Sequence, residues 1–378
     1  MIDAKRGKIS PRQLFCIFFV SRIVVSLTYV QSVSVGKFDT DVPISFALSM
    51  PLTFLMSVPA VLCVKKKKSP QFSSALGIAY LLYFLFFSSL TVERFAYFAT
   101  TKMNPESPML MFIILAFVAV CYGAYLGIEP LGRFASLCGT LLAVVIAVVL
   151  IFNIKNFDFV NFFPVMQNDT KHFLMNCALF TCNCIEPILL LTLSDKTNGD
   201  SIKPYFSGLG CAYAGVFLLL LFCSGVLGNS ADLQSFPIYT LFQMASVNDM
   251  SRLDILHTSF WIFAVFLKTA VMLFCASTLI KKYSHKTKVL VLSGVSLLGS
   301  VFLDKVLGMR IAEVSKYLTV GMFLAFAVVV PLCVLIFDRR ENVEKNIENN
   351  TVAFVGCASL FRLQRQFVRN VGGAGRRC

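Results

Sequence analysis

The chain has 378 residues, of which 57% are hydrophobic and only 14% are charged, and its mean hydropathy is +0.76. Soluble proteins carry charge on roughly a quarter of their residues, so this composition excludes an ordinary soluble enzyme. The formal net charge of +14 would suit a nucleic-acid-binding protein, but in a membrane protein basic residues report topology instead. The composition therefore predicts an integral membrane protein.

Ten apolar runs are long enough to cross about 30 Å of hydrocarbon as helices. They lie near 11–35, 41–64, 72–101, 108–128, 134–154, 172–194, 204–228, 253–280, 287–308 and 316–337. With the N-terminus in the cytoplasm, two thirds of the 34 Lys and Arg residues fall on the cytoplasmic side, so we predict that both termini lie there.

Ten spans also permit an internal repeat. The ranges 11–154 and 172–337 contain five spans each. Because five is an odd number, the second set would enter the membrane with the opposite orientation to the first, as in the inverted repeats of many transporters. The sequence thus predicts an all-α membrane domain over 1–337, followed by a basic cytoplasmic tail over 338–378.

Three charged side chains are expected at one depth in three different spans. Topology places Arg22 in span one, Glu186 in span six and Lys268 in span eight, each within about 5 Å of the midplane. A charge at that depth costs at least about 2.5 to 3.5 kcal/mol, so it requires a partner, a cavity or a function. Either Glu186 pairs with one of the cations as a structural latch, or the excess cation faces a ligand carboxylate in a central cavity.

Span six is the most polar of the ten and contains a proline. Pro187 follows Asn183 and Glu186, removes a backbone donor and favours a break in the helix. Half-helix ends at mid-depth can hold a small zwitterion. Span one has a polar outer half, so a break near Val25 to Thr28 competes there with an intact helix in which serine and threonine hydroxyls bond to the backbone.

Cysteine and histidine patterns indicate neither a metal site nor a catalytic site. The 13 cysteines are dispersed, and a helix turns Cys182 away from Cys177, so we expect reduced packing residues and no bound metal. His172, His257 and His285 are far apart in sequence and have no nucleophile or ligand spacing beside them. We therefore expect neither an enzyme nor a cofactor.

Several local patterns occur together in an order that is typical of one family. They are ISPRQL at Ile9–Leu14, YGAYLGIEPLGR at Tyr122–Arg133, and SRLDILHTSFWIFAVFLK at Ser251–Lys268, which follows Phe236-Pro237. On these residues the chain resembles the B-subunit family of spore germinant receptors, which are permease-like proteins of the amino acid, polyamine and organocation superfamily.

The resemblance implies a fold like that of the leucine-transporter superfamily, with two inverted five-helix repeats and discontinuous helices one and six. It implies a sensor of small nutrients, often amino acids, in the inner membrane of a dormant spore, with an A subunit and a lipoprotein C subunit as partners. Ligand residues in that superfamily come from helices one, three, six and eight. Carried onto this chain, they are Val25, Ser26, Leu27, Tyr97, Thr181, Cys182, Asn183 and Thr269.

The tail after Asp338 has a two-faced helical pattern. Apolar residues share one face and basic residues the other: Leu360, Phe361, Leu363, Phe367 and Val368 against Arg362, Arg365 and Arg369. This pattern predicts either an amphipathic helix on the anionic inner leaflet or a disordered charged tail. We expect membrane lipid, and not nucleic acid, to be its partner.

Three functions remain open at the level of sequence. The first is a nutrient sensor that signals to partner subunits, and the second is a proton-coupled amino-acid permease in which Glu186 or Lys268 titrates. The third is a divergent subunit that is retained for assembly, suggested by the unusual middle of span one around Arg22.

Overall fold

The computed structural model describes residues 7–28, 38, 40–67, 74–163, 170–245, 254–307 and 311–337. Within these ranges the chain is helical apart from its connecting turns and one isolated parallel β-bridge between Ile9 and Thr197. The all-α prediction is confirmed for this part of the chain. The tail 338–378 and its predicted surface helix lie outside the described residues.

Twelve α-helices follow one another along the described chain. They are α1 (Pro11–Thr28), α2 (Val42–Lys65), α3 (Ser74–Phe98), α4 (Met109–Leu126), α5 (Ile128–Asn153), α6 (Thr170–Cys182), α7 (Glu186–Leu193), α8 (Ile202–Leu227), α9 (Pro237–Met244), α10 (Asp254–Leu279), α11 (His285–Leu307) and α12 (Ile311–Phe323). Two of them, α3 and α12, continue into π-helical turns at Ala99–Met103 and Leu324–Val329.

Nine helical segments of the described chain are long and apolar enough to cross a membrane. They coincide with predicted spans two to ten and are Val42–Lys65, Ala75–Met103, Met109–Leu126, Ile128–Asn156, Thr170–Lys196, Ile202–Leu233, Ile255–Leu279, His285–Val306 and Glu313–Phe337. The first predicted span, 11–35, is described as α1 only up to Thr28.

One predicted boundary differs from the structure. The fifth span was expected to begin near residue 134, but α5 begins at Ile128. Gly127, with a φ of 98°, ends α4 and allows the chain to turn directly into the next helix.

The segments that carry the three predicted midplane charges form the centre of the bundle. In the most apolar stretch of Thr170–Lys196, 83% of the residues are buried, and in that of Ile255–Leu279, 72% are buried. The corresponding fraction in Glu313–Phe337 is only 17%. The third segment, α1, packs against α5, α8 and α10. Gly208 of α8 allows this close approach, because a Cβ there would lie 2.8 Å from the Phe15 carbonyl oxygen of α1.

One end of the bundle gathers segments that are predicted to be cytoplasmic. The backbone N–H of Ile9 donates to the carbonyl of Lys196, at 2.9 Å, and Glu129 lies beside the N-terminal segment. At the same end, Nε2 of His285 is 3.1 Å from the Ala124 carbonyl oxygen. The N-terminal segment, the chain after α7, the end of α4 and the start of α11 thus lie together, as the predicted topology requires.

Candidate functional site

The sixth predicted span is interrupted between α6 and α7, where Asn183 to Ile185 are not helical. The N–H of Asn183 still donates to the Leu179 carbonyl, at 3.0 Å, so the helical pattern persists up to that residue. In a continuous helix the N–H of residue 187 would donate to the Asn183 carbonyl, but Pro187 has no N–H. The break predicted in span six is confirmed.

Arg22 of α1 binds the carbonyl groups that the break leaves free. Its side chain is 1% exposed, its Nη2 donates to the Phe180 carbonyl at 2.9 Å, and its Nη1 donates to the Asn183 carbonyl. In an unbroken helix these two oxygens would accept from residues 184 and 187. Because the carbonyl end of a helix favours a cation, Arg22 stabilises the broken conformation.

Tyr213 of α8 completes the surroundings of the guanidinium. Its hydroxyl accepts from Nη2 of Arg22 at 2.7 Å and lies 2.6 Å from Oγ1 of Thr53. The guanidinium carbon also lies 4.5 Å from the centre of the Tyr213 ring and 5.8 Å from that of Phe46, which are cation–π distances. Tyr213 is not among the residues expected from the sequence, although a hydroxyl-bearing aromatic side chain within an apolar span was a signal that could have identified it.

Glu186 and Lys268 form an ion pair next to Arg22. The ammonium Nζ is 3.5 Å from Oε1 of Glu186, and both residues are almost fully buried. The Ser21 hydroxyl donates to the same Oε1 at 2.7 Å, and the Cys184 thiol donates to Oε2 at 3.1 Å. Since Lys268 also donates to the Ser21 carbonyl at 2.8 Å, the pair ties α1, α7 and α10 together.

The structure thus brings together the three charges that the sequence places at one depth. The cluster carries two cations, Arg22 and Lys268, against one anion, Glu186. Glu186 is bound by Lys268 and Ser21, as the latch interpretation expected, whereas Arg22 is bound by backbone carbonyls and Tyr213.

A small cavity lies beside the ion pair, against the break in the sixth span. Its volume is about 30 Å³, enough for about two water molecules and too little for an amino acid. It is lined by Tyr83, Phe87, Leu90, Thr91 and Arg94 of α3, by Cys182, Asn183, Cys184 and Ile185 at the break, by Lys268 of α10 and by Thr319 of α12.

Two of the expected ligand residues, Cys182 and Asn183, line this cavity. Thr181 and Thr269 are not part of its lining, and their hydroxyls donate to carbonyls of their own helices at 2.8 and 2.9 Å. Tyr97 lies about one turn beyond Arg94 on α3, is 52% exposed, and has its ring 6.3 Å from that of Phe236. It lies at the periphery of the site.

α1 is helical through Val25, Ser26 and Leu27 to Thr28, the last residue that the structure describes before residue 38. The break expected in the first span near Val25 to Thr28 therefore stays a prediction. The side chains of those three expected ligand residues, and residues 29–37, lie outside the described part of the chain.

Sequence comparison places the chain in a family. A profile described as spore germination protein matches residues 8–306. The chain belongs to the spore germination protein family. No curated protein matches the chain.

Solved transporters share the fold of this spore germination protein. A Na⁺-coupled sialic acid symporter in a substrate-bound outward-open state matches with a TM-score of 0.59 at 14% identity, over 86% of this chain and 80% of the symporter. Mhp1, a nucleobase-cation-symport-1 family transporter, in a closed conformation with bromovinylhydantoin bound, matches with a TM-score of 0.61 at 12% identity, over 85% of this chain and 77% of Mhp1. At these identities the matches show a shared fold, which is that of the sialic acid symporter and of Mhp1.

Among the described residues of the spore germination protein, no group of three or more His, Cys, Asp or Glu side chains could hold a metal ion. The described cysteines are all free thiols, and most of them are buried. The chemistry of the central site is therefore that of two fixed cations, one carboxylate and a broken helix.

Proposed function

We propose that this spore germination protein senses a small nutrient, of the amino-acid class, at the break in its sixth span. The observation that carries the proposal is the interrupted helix at Asn183 to Ile185, which borders a cavity beside a cluster of excess positive charge. Peptide groups at a helix break and a buried cation are suited to the two charged ends of an amino acid. Membership of a permease-like membrane family supports a small molecule as the ligand.

The ligand carboxylate is expected to bind at Lys268. Two of the three ammonium protons are directed to the Ser21 carbonyl and to Glu186, so the third can reach a carboxylate in the cavity that Lys268 lines. Arg94 lines the same cavity from α3 and adds positive charge to it. A charge-assisted hydrogen bond in this enclosed setting favours an anionic group over a neutral one.

The ligand ammonium is expected to compete with Arg22. The carbonyls of Phe180 and Asn183 would suit an ammonium group, but Arg22 already binds both. Replacing the guanidinium would release α1 from the end of α6, and the closed cavity of about 30 Å³ must enlarge at the same time. Binding would thereby shift the population toward a different arrangement of α1 and α6, which is the change a sensor transmits.

A proton-coupled permease is the second candidate, and the solved transporters that share the fold favour it. In that case the Glu186–Lys268 pair would gain and lose a proton during each cycle. Reconstitution into proteoliposomes with a pH gradient separates the two functions. A sensor binds a labelled amino acid without accumulating it, whereas accumulation that collapses with the gradient would contradict the sensor.

The location of the ligand can be tested with Asn183→Ala. This change removes an amide from the cavity wall but keeps the backbone carbonyl that Arg22 binds, so the fold is retained. We expect the variant to require about tenfold more amino acid for the same thermal stabilisation of the purified protein. The reason is that it loses one hydrogen bond to a charged group of the ligand. Asn198→Ala, an exposed residue in the turn that follows α7, is the matched control, and an equal response in both variants would place the ligand elsewhere.

The cellular setting is part of the same proposal. We place the protein in the inner spore membrane, with both termini cytoplasmic, as the receiver of the nutrient within a complex that includes an A subunit and a lipoprotein C subunit. The resemblance and the family support this placement. Affinity purification from solubilised spore membranes is expected to recover both partners, and recovery of the chain alone would contradict it.

A further inference from the structure

A second cavity lies far from the broken helix, in a groove between α4 and α11. Its volume is about 500 Å³, within the range of about 300 to 1,000 Å³ that is typical of small-molecule sites. Its walls are largely apolar and are formed by Phe117, Val118, Cys121, Tyr122, Tyr125, Leu290, Ser293, Gly294 and Leu297. Both helices are membrane-spanning segments, so the groove opens toward the acyl chains of the bilayer.

The groove contains a polar group that has no partner within the described structure. Ser293 is 5% exposed, and its hydroxyl makes no hydrogen bond there. A buried hydroxyl without a partner costs free energy, so its presence in an apolar wall indicates a bound molecule that supplies one. Next to it, Gly294 leaves open space, since a Cβ at this position would meet no atom within 4 Å.

One end of the groove is strongly basic. Lys281, Lys282 and Lys286 are exposed there, and Nζ of Lys286 lies 4.8 Å from the centre of the Tyr125 ring, which is itself part of the groove wall. Neither α4 nor α11 up to Leu303 carries an acidic residue. The nearby Glu129, at the start of α5, already pairs with Arg133 at 2.6 Å, so this end of the groove has an excess of positive charge.

We propose that this groove binds one anionic phospholipid from the leaflet on the lysine side. The phosphate lies at Lys282 and Lys286, and one acyl chain runs along the groove past Gly294 toward Leu297. The Ser293 hydroxyl, about 10 Å along the helix from Lys286, donates to an ester carbonyl below the phosphate. An apolar groove that ends in a basic cluster matches the two parts of such a lipid.

The experiment uses the full chain in detergent, with bound lipid counted by native mass spectrometry. Phosphatidylglycerol and phosphatidylcholine with identical acyl chains serve as the anionic and zwitterionic probes. We expect the protein to retain phosphatidylglycerol preferentially. Lys282→Gln together with Lys286→Gln is expected to reduce that preference by roughly 25-fold, at about fivefold for each lysine.

Two further variants separate this site from general attraction of anionic lipid. Gly294→Leu, whose Cβ would meet no atom within 4 Å, places an apolar side chain in the groove and is expected to abolish retention of both lipids, while the unfolding temperature remains that of the unaltered chain. Lys65→Gln with Lys67→Gln removes two exposed lysines at the end of α2 and is expected to leave lipid retention unchanged. The proposal is overturned if Gly294→Leu retains lipid as the unaltered chain does, or if both lysine pairs lower the preference equally.

Discussion

The first and the sixth spans contact each other in the centre of the protein, yet one is continuous to Thr28 and the other is interrupted at Asn183 to Ile185. In the sixth span Pro187 removes a backbone donor, and Arg22 supplies donors to the carbonyls that are left. No proline follows Pro11 in α1, which is helical as far as it is described, to Thr28, even though Lys268 donates to its Ser21 carbonyl. The comparison indicates that the break in the sixth span depends on the lost donor and that Arg22 compensates for the loss.

The largest expected effect comes from removing the anion that anchors the break. Glu186→Ala leaves the Lys268 ammonium buried without a counter-charge, which is expected to cost about 3 to 5 kcal/mol of unfolding free energy. The measurement is the heat-induced unfolding transition of the purified protein in detergent.

Glu129→Ala provides the matched control for this change. Its partner Arg133 is 2.6 Å away, but the two side chains are 44% and 73% exposed, so the loss is expected to stay below about 1 kcal/mol. Equal losses in the two variants would mean that the buried pair does not hold the centre together.

A smaller loss is expected when the replacement donor is removed. Arg22→Met leaves the carbonyls of Phe180 and Asn183 without the guanidinium, at an expected cost of about 2 to 4 kcal/mol in the same unfolding assay. Arg133→Met, an exposed arginine, is the control. A loss below about 1 kcal/mol for Arg22→Met would show that the carbonyls find other donors.

The smallest expected effect is a coupling between Pro187, which removes a backbone donor, and Arg22, which replaces it. In Pro187→Ala the new N–H can donate to the Asn183 carbonyl, so Arg22→Met is expected to cost about 1 kcal/mol less in that background than in the unaltered chain. A double-mutant cycle built from four unfolding curves measures this coupling. If the losses of unfolding free energy in the two single variants simply add in the double variant, Arg22 and Pro187 act independently, which would contradict this coupling.

Much of the fold follows from the sequence because spans and midplane depth depend only on length and hydropathy. Arg22, Glu186 and Lys268 could be placed at one level by counting residues from the span centres. The break at Pro187 followed from a missing N–H, which is a property of one residue.

The partners of these charges could not be predicted, because they depend on how each helix is rotated about its own axis. Depth alone does not reveal that Arg22 turns toward Phe180 and Tyr213 while Lys268 turns toward Ser21. The sequence also did not predict whether α1 stays helical from Val25 to Thr28, because serine and threonine hydroxyls are compatible with both an intact and a broken helix.

The central claim is that a nutrient binds beside the Glu186–Lys268 pair, and its most direct test removes both charges together. Glu186→Gln with Lys268→Met removes both charges of the pair and leaves Arg22 on its carbonyl and Tyr213 partners, so the protein is expected to fold. Equilibrium binding is then measured with whichever labelled amino acid most stabilises the unaltered protein, and with Glu129→Gln plus Arg133→Met as the control pair. We predict at least about tenfold weaker binding in the buried-pair variant and unchanged binding in the control. Unaltered affinity in a buried-pair variant that melts normally would contradict the claim.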